Sequence, residues 1–223
     1  MDQKENLQSG YFYHIFTCGI NGEDLFRENK DCERFLWLYE KYMHPVSDTY
    51  AWVLMKNHFH LLIKIKESIQ YKYSKSDFPN DKQRFDDLKW ETVFNANSSS
   101  SGSGQKPKAY LHLSHLLNAY SKYFNIKYQR HGSLFERPFN RKMIDNPIYF
   151  RNVVIYIHQN PVHHGFCNHP VEYGWSSYLT CISLKPTQLS RATVIGWFDN
   201  LGNFKLMHAQ TINRNAVEDY LAL

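Results

Sequence analysis

Apolar residues recur along this chain in two rhythms, one of strands and one of helices. Residues 11–19, "YFYHIFTCG", are aromatic and β-branched and predict a strand ending at Gly19. In "ENKDCERFLWLYEKYM", Phe35, Leu36, Leu38, Tyr39 and Tyr42 fall at helical spacing, and Pro45 stands just beyond. "TYAWVLM", residues 49–55, predicts a second strand, Lys56 and Asn57 a tight turn, and "HFHLLIKI" a third strand returning beside it.

The rhythm fails over residues 67–105, which end in a Ser/Gly tract and predict a flexible insertion. It resumes from Pro107 to Tyr128, where Leu113, Leu116, Leu117, Tyr120 and Phe124 mark one face of a long amphipathic helix. "GSLFERPFNRKMI" suggests a strand around residues 134–144. Asp145 or Asn146 can then cap a helix with Pro147 in its first turn, running through "IYFRNVVIYIHQN" to Pro161.

The order is β-α-β-β, insertion, α-β-α, which predicts an α+β fold. Its core would be a ferredoxin-like split β-α-β arrangement with an antiparallel sheet. "YGWSSYL" reads as a turn or short helix, with Trp175 and Tyr178 anchoring the C-terminal segment against the core. Residues 187–223 look like helical pieces, with Trp197, Phe198, Phe204 and Leu206 available for packing. The expected division is a main domain over 1–180, containing the insertion, and a helical extension over 181–223 packed on it.

Composition narrows the class. The chain has 223 residues, 43% of them hydrophobic, which is ample for a core. It holds no apolar run long enough for a membrane helix, and "MDQKENLQSG" lacks the apolar stretch of a signal peptide, so a cytoplasmic protein with no membrane partner is expected. Cys18, Cys32, Cys167 and Cys181 are scattered, which argues for free thiols.

The net charge of +5 says little until it is located. Between Lys106 and Lys142, Glu136 is the only acid. Lys122, Lys127, Arg130, Arg137, Arg141 and Lys142 alternate there with tyrosine and phenylalanine. Such a stretch suits a phosphate backbone with unstacked bases. A helix with a solvated basic face would have the same composition.

Two histidines interrupt the third strand. Residues two apart on a strand share a face, so His58 and His60 stand side by side while Phe59 faces the other layer. Paired imidazoles can take adjacent positions on a divalent metal, although a third donor is needed. On the helix before Pro161, Tyr156 and Asn160 are four apart and address one point. An amide oxygen with two imidazoles suits Mg2+ or Mn2+, and a neighbouring tyrosine is a candidate nucleophile toward a phosphodiester. Tyr149 and Tyr123 are rivals for that role, and His14 on the first strand reads as a polar-face or strand-end residue.

"NHFHLLI" together with "YIHQNPVHHGF" and "PVEYGWSSY" resembles the HUH-class single-tyrosine transposases, in particular the REP-associated tyrosine transposases. The resemblance covers roughly residues 11–180. It implies that His58, His60 and Asn160 hold a divalent metal, Mg2+ or Mn2+, and that Tyr156 is the nucleophile. "RHGSLFERPF" is similar to a family stretch whose basic residues face DNA. The implied activity is cleavage and rejoining of single-stranded DNA beside hairpins through a 5′-phosphotyrosine, by a monomer or homodimer. The alternative is a domesticated, catalytically idle relative that binds structured DNA or RNA. The chain departs from the family pattern in its long insertion, in Lys56 where proline is frequent, and in His163 and His164, which read as surface-loop residues, with a place beside the metal as the alternative.

Overall fold

The computed structural model of the chain describes residues 6–67, 70–71, 92–93, 108–210 and 212–221. Apart from its edges and two short strands, the expected insertion at 67–105 lies outside the described residues. The elements are β1 (Phe12–Cys18), α1 (Asn29–Met43), β2 (Ser47–Met55), β3 (His58–Ile65), β4 (Gln70–Tyr71), β5 (Thr92–Val93) and α2 (Ala109–Lys127). They continue with β6 (Asn140–Ile144), α3 (Pro147–His163), α4 (Tyr178–Ile182), α5 (Arg191–Trp197), α6 (Leu201–His208) and α7 (Arg214–Leu221).

Four strands form one sheet in the order β2-β3-β1-β6, every neighbouring pair antiparallel. The chain leaves β1 through α1 and enters the sheet again at β2, with β3 between the two. That is the split β-α-β order expected from the sequence. β4 and β5 pair only with each other.

Alternation along β3 divides the protein into two layers. Phe59, Leu61, Ile63 and Ile65 join Tyr13 and Ile15 of β1 in a core closed by α1 and α2. The helical stripe read from the sequence, Leu113, Leu116, Leu117, Tyr120 and Phe124, is buried there. Phe35 stacks at an angle on Phe59, with 5.0 Å between ring centres, and edge-on against Tyr120 at 5.2 Å. Such aromatic contacts add to the burial of apolar area, which dominates the stability of this layer.

On the opposite face, Ala51, Val53, Met55 and Leu62 of the sheet pack against Val153, Val154 and Ile157 of α3. Beyond them lie Tyr178, Val194, Phe198, Phe204, Val217 and Leu221 of α4 to α7. Leu206 does not join them and is 58% exposed. Phe204 and His208, four apart, are the buried side of α6, and Leu206 falls on its outer side.

Three local differences from the sequence reading have physical causes. The strand expected over 134–144 is regular only from Asn140, because Leu134 and Phe135 turn into the core and Pro138 has no N–H for a ladder. α3 carries on through Pro161 to His163, since a proline in the last turn sacrifices one intrahelical bond. "GWSS" runs along the free edge of β2, where Leu54 N–H donates to Trp175 O and Ser177 N–H to Trp52 O, both at 2.9 Å. That pairing covers an edge that would otherwise invite another chain.

Asn146 is the cap of α3 and accepts from Ile148 N–H at 3.0 Å. All four cysteines are free thiols. Among the described residues, no helix is long and apolar enough to cross a membrane.

Candidate active site

The turn at Lys56 and Asn57 fixes where β3 begins, and so which face His58 takes. Lys56 O accepts from Leu25 N–H at 2.8 Å and Phe26 N–H at 3.0 Å, and Asn57 O from Gly19 N–H at 2.8 Å. The Lys56 ammonium pairs with Asp24 at 3.1 Å.

With that register, His58 and His60 project toward α3. Asn160 meets both of them: its Oδ1 lies 3.0 Å from His58 Nε2, and its Nδ2 lies 3.4 Å from His60 Nε2. The other nitrogen of each ring is occupied elsewhere, His58 Nδ1 by Asn57 Oδ1 at 2.8 Å and His60 Nδ1 by His14 Nε2 at 2.9 Å. Both Nε2 atoms thus converge on one amide. Burial lowers the pKa of both imidazoles, and for His60 the neighbouring His14 and His58 lower it further. They are neutral near pH 7, with lone pairs available.

Tyr156 lies one helical turn before Asn160 and stands edge-on to His60, with 5.6 Å between ring centres. It is 3% exposed. Its hydroxyl donates to Glu218 Oε1 at 3.4 Å, and Arg214 Nε holds that carboxylate at 2.6 Å. Burial first and the Glu218 charge second push the Tyr156 phenol up to about 12, with Arg214 opposing. The rival tyrosines stand elsewhere. Tyr149 stacks on Tyr220 at 3.6 Å, and Tyr123 donates to Asp31 at 3.1 Å in the α1–α2 layer.

The donor set consists of two imidazole nitrogens and one amide oxygen. These are three donors of the kinds that Mg2+ and Mn2+ accept, and both Nδ1 atoms already have partners of the sort that orient metal-binding histidines. Among the described residues, no group of three or more His, Cys, Asp or Glu side chains is placed to hold a metal ion.

His14, Asn57, Arg214 and Glu218 were not legible as site residues. The clue for His14 was the same one that marked His58 and His60, an imidazole inside an aromatic, β-branched run. It is no strand-end residue. It sits mid-strand, fully buried, and burial drives its pKa down to about 3. His164 is exposed in the turn after α3, as a surface-loop residue should be, and its ring centre lies 5.1 Å from that of His58.

The six basic residues expected at DNA do not form one patch. Lys142 pairs with His14 in the sheet register and so stands on the histidine face, with its ammonium 5.9 Å from the Tyr220 ring centre. Arg141, one position earlier, lies over Phe139 at 5.2 Å. Lys122 and Lys127 line a groove between α1 and α2 with Arg34 and Trp37. Lys127 is tied into the fold there, at 2.6 Å from Glu28 and 2.5 Å from Asp31. Arg130 pairs with Glu23 at 3.3 Å, and Arg137 donates to Asn118.

Fold and site together define a ferredoxin-like α+β domain whose central strand sets a histidine pair against a tyrosine-bearing helix. Neither a protein-family model nor a curated protein matches the sequence. Among solved structures, the chain is similar to that of a REP-associated tyrosine transposase bound to a REP hairpin. The TM-score is 0.55 at 13% identity, over 83% of this chain and 88% of that one. The likeness is one of fold.

Proposed function

We propose that this chain cleaves and rejoins single-stranded DNA beside a hairpin, through a phosphotyrosine on Tyr156. The observation that carries the reading is the convergence of His58 Nε2, His60 Nε2 and the Asn160 amide beside the Tyr156 ring. The fold similarity to a transposase bound to a REP hairpin supports the substrate class.

His58, His60 and Asn160 would hold the cation, Mg2+ or Mn2+. When bound, it supplies positive charge to the non-bridging oxygens of the scissile phosphate. Tyr156 Oη attacks the phosphorus in line, forming a phosphorus–oxygen bond as the bond to the 3′-oxygen breaks. Glu218, already hydrogen-bonded to the phenol, is the group at hand to take its proton, and the departing 3′-oxygen takes a proton from water and leaves as a hydroxyl. Resealing reverses these steps, and the phosphotyrosine conserves the bond energy, so no nucleotide is consumed. Lys142, on the same face of the sheet, would meet the DNA backbone.

One observation favours a second reading, in which the chain binds structured DNA without cutting it. The Tyr156 hydroxyl is buried and its pKa raised, and α7 holds it through Glu218. Incubation with labelled, hairpin-flanked single strands and Mn2+ or Mg2+ separates the two. A covalent adduct that Tyr156→Phe abolishes establishes cleavage. Retained binding without an adduct on any such strand establishes the second reading.

A further inference from the structure

His14 occupies an expensive position. It is fully buried in the middle of β1, yet among the described residues its Nδ1 has no hydrogen-bond partner. A buried imidazole with one idle nitrogen stabilises a strand less than an apolar side chain of similar size. Its Nε2, in contrast, lies 2.9 Å from His60 Nδ1, and the two rings are nearly parallel at 8° with centres 5.1 Å apart. Phe16 stacks on both, at 5.3 Å from His14 and 5.6 Å from His60, which fixes the plane in which they meet.

We infer that His14 is a positioning residue, whose Nε2 accepts the His60 Nδ1 hydrogen and so keeps the His60 Nε2 lone pair directed at Asn160. The inference rests on the proposed metal site and extends it to a residue outside the histidine motif. Tautomers link the two rings. His60 turns Nε2 toward Asn160 and Nδ1 toward His14. A neutral imidazole that gives Nε2 to a cation carries its hydrogen on Nδ1 and needs an acceptor there. His14 Nε2 is that acceptor, and the His14 hydrogen must then sit on Nδ1, the nitrogen without a partner. Asn57 Oδ1 performs the same service for His58. The two ligating histidines are thus oriented by two different chemistries, an amide from the turn and an imidazole from the neighbouring strand.

The test uses Mn2+ on the full chain, followed by calorimetry and electron paramagnetic resonance. His60→Ala serves as the control for the site. His14→Leu is expected to fold while binding Mn2+ about 10- to 100-fold more weakly. His14→Gln, whose Oε1 can accept the same hydrogen, is expected to bind within a few-fold of wild type. Nitrogen NMR of imidazole-labelled wild-type protein with Mg2+ should find the His60 hydrogen on Nδ1.

A folded His14→Leu protein that binds Mn2+ like wild type overturns the inference, as does a His60 hydrogen found on Nε2 with Mg2+ present. Should His14→Leu not fold, the wild-type spectrum decides. Equal Mn2+ binding by wild type and His60→Ala overturns the metal reading itself. A loss in His60→Ala with none in His14→Leu overturns only the role of His14.

Discussion

The two faces of β3 solve opposite problems with alternate residues of one strand. Phe59, Leu61 and Ile63 enter a layer where α1 and α2 supply aromatic and aliphatic partners, and where the buried Asp31 is neutralised by Lys127. His58 and His60 enter a layer threaded by polar side chains from β1, α3 and α7. The first face is built to stay folded. The second keeps buried nitrogen and oxygen atoms that apolar residues could have replaced. Where a fold retains buried polar groups at a cost in stability, the reason lies in what they bind or orient.

The largest expected effect tests that division directly. Phe59→Ala empties the centre of the apolar face and should cost about 3–5 kcal/mol in denaturant unfolding. His60→Leu fills a similar volume but takes a partner from His14 Nε2 and from the Asn160 amide, and should cost about 1–3 kcal/mol, less than Phe59→Ala. The same substitution should remove any covalent DNA adduct. Comparable losses of stability from the two would mean that both faces serve the fold alike.

Acid should affect the faces in different windows. Beneath α3, His208 Nδ1 faces Phe204 O at 2.7 Å and must carry a hydrogen, so His208 Nε2 accepts from His158 Nδ1 at 2.9 Å. Ser177 then donates to His158 Nε2 at 2.7 Å. This chain of neutral rings has no place for an extra proton. Burial holds His208 at about 4 in the folded protein against 6.5 when free. The unfolded chain therefore takes up protons first, and stability is full above about pH 6.5 and is lost as pH falls toward 4. The loss from His208 alone is of the order of 3 kcal/mol.

Asp31, in the other layer, behaves differently. Burial works against its charge, but bonds from Lys127 and Tyr128 outweigh it and hold its pKa below the usual carboxylate value. Its contribution is full above about pH 4 and is lost only at lower pH. Asp31→Asn should cost about 2 kcal/mol at pH 7. It should leave the loss between pH 6.5 and 4 unchanged in thermal melts taken across that range.

The apolar face was legible in the sequence because it follows a period. The stripes of α1 and α2 and the alternation of β3 gave the sheet, the split β-α-β order and most of that core. The polar face was legible only where it carried a motif. His58, His60, Tyr156 and Asn160 stand in two short stretches whose spacing places each pair on one side of an element, and the fold brings those pairs into contact. His14 and Glu218 carry no such mark. They reach the site through sheet register and the packing of the last helix, 46 residues from His60 and 62 from Tyr156 respectively. Nor could spacing reveal that Lys127 spends its charge on Asp31, since that pairing depends on how α1 and α2 meet.

The smallest effect concerns how the polar face tunes the proposed nucleophile. Burial is the first cause of the raised Tyr156 phenol and the Glu218 charge the second. Glu218→Gln removes the second cause and keeps a hydrogen-bonding group of the same size. The Tyr156 midpoint should then fall by about half a unit to one unit, since the burial remains. Subtracting the ultraviolet titration of Glu218→Gln/Tyr156→Phe from that of Glu218→Gln isolates this tyrosine from the other fifteen. If Glu218 only raised the pKa, the substitution would speed adduct formation. If Glu218 takes the phenolic proton, adduct formation slows although the phenol has become more acidic. A faster reaction would remove Glu218 from the proposed mechanism and leave it as a structural contact of α7.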